Sequence, residues 1–115
     1  GIIVKDNKIN QEEKVYNLAK LATNYIGCSD PKRDDVLVFD DYVGDGYGIP
    51  TNGMKEALKM MATKEAILLD PVYSGKGFDG LIDLVRKKYF RDNDKVLFIH
   101  TGGSASLSGY EWAFN

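Results

Sequence analysis

Short apolar runs alternate with amphipathic stretches along this chain of 115 residues. The runs that are typical of buried strands lie at 1–4, 36–39, 66–69 and 96–99. Apolar residues recur at helical spacing in the stretches between them, at 15–26, 54–62 and 78–89, and a last helix is predicted at 107–114. Helices that alternate with short buried strands predict an α/β fold, a three-layer αβα arrangement around a mostly parallel sheet.

The sequence also predicts where the helices begin and end. Asn10, with Glu13 three residues later, is typical of a helix N-cap with a capping-box acid. Gly27 is the expected end of this first helix, and Thr51 is the expected cap of the second. The apolar stripe of the first helix is predicted to face the core through Val15, Leu18, Ala19, Ala22 and Ile26.

Length, charge and cysteine content narrow the class of protein. Three or four strands are few for a sheet covered on both faces, so we expect residues 1–115 to be a single α/β segment of a larger protein. A net charge of -2 gives no basic surface for nucleic acid, and no apolar run is long enough for a membrane span or signal peptide. A cytoplasmic protein is expected. One cysteine and one histidine leave no disulfide and no zinc or histidine-rich metal site.

Glycine and hydroxyl residues follow three of the apolar runs. The loops are 45–50 (DGYGIP), 70–76 (DPVYSGK) and 100–104 (HTGGS). Because loops after parallel strands gather at one edge of a sheet, Tyr47, Tyr73, Ser74 and Thr101 are expected to converge there. No nucleophile elbow surrounds Ser104, no triad partner is evident for His100, and 75–77 lacks the spacing of a nucleotide-binding loop. Lys76 is interpreted as a solvated helix residue.

Three motifs together resemble one enzyme family. GYGIP at 46–50, LLDPVYSGK at 68–76 and FIHTGG at 98–103 resemble motifs of D-cysteine desulfhydrases and aminocyclopropane-carboxylate deaminases. These are fold-type-II pyridoxal-phosphate enzymes related to the tryptophan synthase β subunit. The resemblance covers about residues 36–110. It implies the C-terminal part of such an enzyme, with pyridoxal phosphate as cofactor, a small amino acid as substrate and a homodimer as the whole protein.

The resemblance also assigns roles to individual residues. It implies that Tyr47 and Tyr73 are catalytic, with Tyr73 also at the cofactor ring. Ser74 and Thr101 match the pair beside the pyridine nitrogen, and Gly102 belongs to the same cofactor-binding loop. The family's Schiff-base lysine and phosphate-binding loop have no counterpart among these residues. Only ring-side contacts to the cofactor are therefore expected here, and the isolated chain is expected to be inactive.

The pair beside the ring nitrogen separates the two activities. The deaminases place Glu where Ser74 stands and Leu where Thr101 stands, and that carboxylate keeps the pyridine nitrogen protonated. Neutral hydroxyls at both positions resemble the desulfhydrases, where a weaker electron sink suffices because a thiolate leaves readily. The resemblance thus favours β-elimination of D-cysteine to pyruvate, ammonia and hydrogen sulfide. The alternatives are an aminocyclopropane-carboxylate deaminase and a non-catalytic, truncated α/β module.

Overall fold

The computed structural model describes all 115 residues and is built mainly from helices. Three are α-helices: α1 Lys8–Ile26, α2 Asn52–Glu65 and α3 Ser74–Arg86. Two further segments, Arg33–Asp35 and Ser104–Ala113, are 3-10 helical. The three predicted α-helices are confirmed, but the last element is a 3-10 segment that begins before 107. Its serine-rich start explains this, since serine side chains compete with the helix for backbone hydrogen bonds.

The helix ends follow local capping chemistry. Thr51 caps α2 as predicted, because its Oγ1 accepts the Met54 N–H at 3.1 Å. The predicted start of α1 at Asn10 is wrong. Asn7 is the N-cap, and its Oδ1 accepts the Asn10 N–H at 3.0 Å, which places Asn10 inside the first turn. Gly27 ends α1 as expected, with a left-handed φ of 72°.

The core lies where α2 packs against α3. Met54, Leu58 and Leu69 are buried there, and each contributes about 1.5–3 kcal/mol by leaving water. The partly buried side chains around them are Met61, Phe78, Phe98 and Leu107. The two helices approach closely at Gly75, where a Cβ would lie 2.3 Å from Leu58 Cδ1 and 2.6 Å from the Asp70 carbonyl oxygen. Only glycine fits this contact.

The predicted parallel sheet is not shown by these residues. Its one trace is an isolated parallel bridge between Ile2 and Phe39, with the Ile3 N–H donating to the Phe39 carbonyl at 3.1 Å. Residues 66–69 and 96–99 make no backbone hydrogen bonds of a ladder. Paired strands lie about 4.8 Å apart and exchange backbone hydrogen bonds, and neither segment makes such bonds with the Ile2–Phe39 pair. The expected αβα layers are therefore reduced to helices and extended segments.

The predicted packing of the α1 stripe is also wrong. No residue of α1 is buried, and its exposed apolar side chains include Ile9, Leu18, Leu21, Tyr25 and Ile26. Polar contacts join its first half to the chain: Lys8 N–H donates to Asp40 Oδ2 at 3.3 Å, and Glu12 Oε1 accepts the Val38 N–H at 3.2 Å. Nothing among the 115 residues covers the stripe. None of the helices is long and apolar enough to cross a bilayer.

Candidate functional site

Asp70 organises the start of α3. It follows Leu69, is 1% exposed, and its carboxylate accepts the N–H groups of Val72, Tyr73 and Ser74 at 2.9, 2.7 and 2.7 Å. Burial alone would raise the pKa of Asp70, but hydrogen bonds from the Ser74 hydroxyl and these N–H groups outweigh it and hold that pKa below its ordinary value. Asp70 thereby fixes the two residues that the sequence assigns to the site, Tyr73 and Ser74.

The Ser74 hydroxyl is committed to Asp70. It donates its proton to Asp70 Oδ2 at 2.5 Å and accepts the Asp70 N–H at 2.8 Å. A serine hydroxyl has one proton and two lone pairs, so only one lone pair remains for another partner. In this arrangement Ser74 can accept a hydrogen bond from a ligand but cannot donate one.

Tyr47 and Tyr73 form a pair, as the sequence predicts from the convergence of the loops that carry them. Their hydroxyl groups are hydrogen-bonded to each other, and the ring centroids lie 5.9 Å apart in an edge-to-face arrangement. The hydrogen bond with Tyr47 stabilises the neutral Tyr73 hydroxyl, as it does when Tyr73 is the donor, and raises the pKa of Tyr73 above its ordinary value. Of the two hydroxyl protons, one serves the bond between the rings, which leaves one for a ligand.

An apolar cavity of about 550 Å³ lies beside Tyr73 and α3. Its walls come from α3 and from the extended segments on either side, residues 1–4, 37–39 and 96–99. Tyr73, Ser74 and Thr101 all line it, and no acidic or basic side chain does. A smaller cavity of about 410 Å³ lies next to it between Tyr47 and Tyr73, with Lys5 and Gln11 on its wall. Tyr73 therefore borders both spaces.

The loop that carries Thr101 is braced by its neighbours. His100 Nε2 lies 3.1 Å from the Leu68 carbonyl oxygen, to which it donates, and His100 Nδ1 accepts the Gly102 N–H at 2.9 Å. Gly103 has φ of 90° and passes so close to Asp70 that a Cβ would lie 2.9 Å from its Cγ. Thr101 is exposed at the cavity wall, while Gly102 lies outside it. A cofactor-binding role for Gly102 stays a prediction.

Lys76 is the residue that the sequence interpretation missed. It is fully buried, so the assignment to a solvated helix face is wrong. Its Nζ donates to the carbonyl oxygens of Val43 and Gly46 at 2.5 and 3.0 Å, and burial lowers its pKa. No local sequence signal indicates this burial, because both partners of the Lys76 amine lie at least 30 positions earlier in the chain.

Comparison with known proteins identifies the family. The family model described as pyridoxal-phosphate dependent enzyme matches residues 5–102. The chain belongs to the pyridoxal-phosphate dependent enzyme family. This chain is also similar to a protein whose crystal structure is described as that of an ACC deaminase homologue. The TM-score is 0.77 and the sequence identity is 38%, over 92% of this chain. The family resemblance carried by the three motifs is therefore confirmed.

The match covers 31% of the ACC deaminase homologue, so this chain spans about a third of that protein. Members of the pyridoxal-phosphate dependent family use pyridoxal phosphate, and the cavity residues fit one side of it. The apolar walls suit an aromatic ring, and the hydroxyl groups of Tyr73, Ser74 and Thr101 suit its polar atoms. The walls offer no lysine side chain for the aldehyde and no basic side chain for the phosphate. The residues present fit the ring side alone.

Proposed function

We propose that residues 1–115 are the C-terminal part of a pyridoxal-phosphate-dependent lyase that acts on D-cysteine. The reaction consumes D-cysteine and water and yields pyruvate, ammonia and hydrogen sulfide. The observation that carries the proposal is the polar composition of the cavity, which offers the hydroxyl groups of Tyr73, Ser74 and Thr101 but no carboxylate. When bound, pyridoxal phosphate withdraws electrons from the α carbon of the substrate.

Thr101 is the residue that would donate to the ring nitrogen. Its hydroxyl has no partner within the chain, whereas the Ser74 proton is already given to Asp70. The Asp70 carboxylate accepts four hydrogen bonds and is absent from the cavity wall, so it does not supply the negative charge that would keep the ring nitrogen protonated. A neutral donor at that nitrogen favours departure of a good leaving group such as a thiolate over opening of a carbon ring.

Tyr47 and Tyr73 would orient the substrate. The proton that their mutual hydrogen bond leaves free can be donated to a substrate carboxylate or to a departing sulfur. With Tyr73 as the donor between the rings, as its raised pKa indicates, the free proton is that of the Tyr47 hydroxyl. Because Tyr73 borders both cavities, it can contact the cofactor ring on one side and the amino acid on the other.

The remaining parts of the proposal concern the whole protein. The Schiff-base lysine and the phosphate-binding residues would come from outside these 115 residues, and the extended segments 1–4, 36–39, 66–69 and 96–99 would join a parallel αβα sheet there. We propose a homodimer for the whole protein. The isolated chain would not catalyse the reaction, because the residues present fit only the ring side of the cofactor.

The test is an assay of the polypeptide encoded by the complete reading frame that contains this chain. We expect it to release sulfide and pyruvate in equal amounts from D-cysteine, and the isolated 115 residues to release neither. Thr101→Val should slow the reaction about 10²-fold, the scale for loss of one positioned acid–base hydrogen bond. Thr63→Val is the matched control, since the Thr63 hydroxyl only bonds carbonyls within α2.

The two alternatives are outcomes of the same assay. Ammonia released from aminocyclopropane carboxylate, without sulfide from D-cysteine, would establish the deaminase instead. A polypeptide that neither binds pyridoxal phosphate nor consumes either substrate would be the non-catalytic module. Sulfide release by the isolated chain at enzymatic rates would contradict the assignment of the essential lysine to another part of the protein.

A further inference from the structure

We propose that Lys76 is a positioning residue that holds the loop carrying Tyr47 against the first turn of α3. Its relevance to catalysis rests on the proposed function, whereas its hold on the loop does not. The observation behind it is a fully buried ammonium group that joins α3 to Val43 and Gly46. These two residues lie 33 and 30 positions before Lys76 in the chain. Such a group is expensive to bury, so its partners are informative.

The partners of Lys76 are backbone carbonyls only. Its Nζ lies 2.5 Å from the Val43 oxygen and 3.0 Å from the Gly46 oxygen, and it forms no ion pair with any carboxylate. Charged donors make strong hydrogen bonds to carbonyls in a buried setting. The loop is thus fixed at two points by one side chain.

One of these carbonyls sets the position of Tyr47 directly. The Gly46 oxygen belongs to the peptide group that joins Gly46 to Tyr47. The hydrogen bond from Lys76 therefore fixes the orientation of the peptide plane next to the Tyr47 Cα. The loop itself offers little restraint, since Gly44 and Gly48 have left-handed φ values of 66° and 74°. A second anchor is the Tyr110 hydroxyl, which donates to the Gly48 carbonyl at 2.9 Å.

The same turn of α3 presents Tyr73, the partner of Tyr47. Tyr73 immediately precedes α3, and Lys76 is its third residue. The start of α3 therefore positions Tyr73 and, through Lys76, also binds the loop that carries Tyr47. Lys76 is absent from the walls of the apolar cavity, and its amine is already bonded to two carbonyls. These facts favour a positioning role over covalent chemistry at Nζ.

The first experiment uses the 115-residue chain and measures amide hydrogen exchange. Lys76→Met removes the donor at similar length, Lys76→Gln keeps a donor that is too short to reach both carbonyls, and Lys59→Met is the matched control at an exposed lysine on α2. We expect amides of the loop 43–49 to exchange about tenfold faster or more in Lys76→Met, with a smaller rise in Lys76→Gln, while α2 amides are unchanged.

The same variants should also loosen the tyrosine pair. The Tyr73 pKa, followed by NMR of labelled tyrosine, should return toward its ordinary value in Lys76→Met and stay raised in Lys59→Met. If Lys76→Met does not fold, Lys76→Gln alone decides between the outcomes. Loop exchange and a Tyr73 pKa that match those of the unmodified chain in the folded variants would overturn the proposal.

The second experiment uses the complete reading frame and separates binding from turnover. Lys76→Met should lower kcat for D-cysteine about tenfold to a hundredfold with little change in KM, the scale of an ångström-sized misplacement. Adding it to Tyr47→Phe should cause no further loss, because Lys76 acts through Tyr47. A full additional loss would overturn the positioning role. Absence of any activity in the unmodified enzyme would refute the proposed function, and the exchange experiment would then decide on Lys76 by itself.

Discussion

Replacement of Gly75 by alanine tests the packing that holds the site together. The new Cβ would lie 2.3 Å from Leu58 Cδ1, 2.6 Å from the Asp70 carbonyl oxygen and 3.0 Å from Met54 Cγ. The Asp70 oxygen cannot retreat, because it accepts the Gly75 N–H at 2.8 Å and belongs to the backbone that begins α3. Overpacking of this kind costs about 1–3 kcal/mol, and the fixed oxygen favours the upper end.

Helix propensity opposes this cost. Alanine is better than glycine in a helix by at most about 1 kcal/mol, so the net loss in the free energy of unfolding for Gly75→Ala is about 2 kcal/mol. Gly77→Ala, two residues along the same helix, is the matched control. Its Cβ would meet only Phe98 at 3.6 Å, an ordinary contact, and we expect it to be neutral or stabilising by up to about 1 kcal/mol.

The assay is urea denaturation followed by near-ultraviolet circular dichroism, which reports the packing of aromatic side chains. We expect the two variants to differ by about 2–3 kcal/mol at an unchanged slope with urea, which is the cost at Gly75 plus the gain of at most about 1 kcal/mol at Gly77. Equal stability of Gly75→Ala and Gly77→Ala would refute the close approach of α3 to Leu58 and Asp70.

Three further predictions concern the groups around the site. Because the pKa of Asp70 is lowered in the folded chain, its carboxylate stabilises the fold at pH values above the ordinary pKa of 3.8, and this contribution is lost as the pH falls through the folded pKa. The free energy of unfolding, measured below about pH 4, should therefore fall less steeply with pH in Asp70→Asn than in the unmodified chain. Tyr47→Phe should bring the Tyr73 pKa down toward its ordinary value of 10.0 in an NMR titration, and an unchanged pKa would argue against their hydrogen bond. Nitrogen NMR should find neutral His100 protonated at Nε2, as its two hydrogen bonds require, and a proton at Nδ1 would be inconsistent with them.

The parts of the fold that depend on local chemistry could be predicted from the sequence. Helical spacing located α2 and α3, and the hydroxyl of Thr51 located a cap, because both follow from neighbours a few residues away. The motifs around Tyr73 and Thr101 indicated the family, which the comparison confirmed. These residues also line one cavity, as the convergence of their loops predicted.

Features that depend on distant partners could not be predicted. The burial of Lys76 depends on the carbonyl groups of Val43 and Gly46, which lie 33 and 30 positions earlier in the chain. The charge of a lysine by itself predicts an exposed side chain. The pairing of strands needs neighbours at the right spacing, which apolar runs cannot specify by themselves. The Asp70 carboxylate starts α3, a role that only the turned backbone of residues 70–74 reveals.

The exposed α1 helix has a consequence for how this chain unfolds. α1 is the longest of the three helices, yet no residue of it is buried and it shares no packed core with α2 and α3. Most helical stability in proteins comes from tertiary packing, which α1 lacks, so α1 should open and close as an independent cooperative unit at a low free energy. Total helix content would then fall in two steps on heating. The first step would report the melting of α1 alone, with Tyr73, Ser74 and Lys76 still in place.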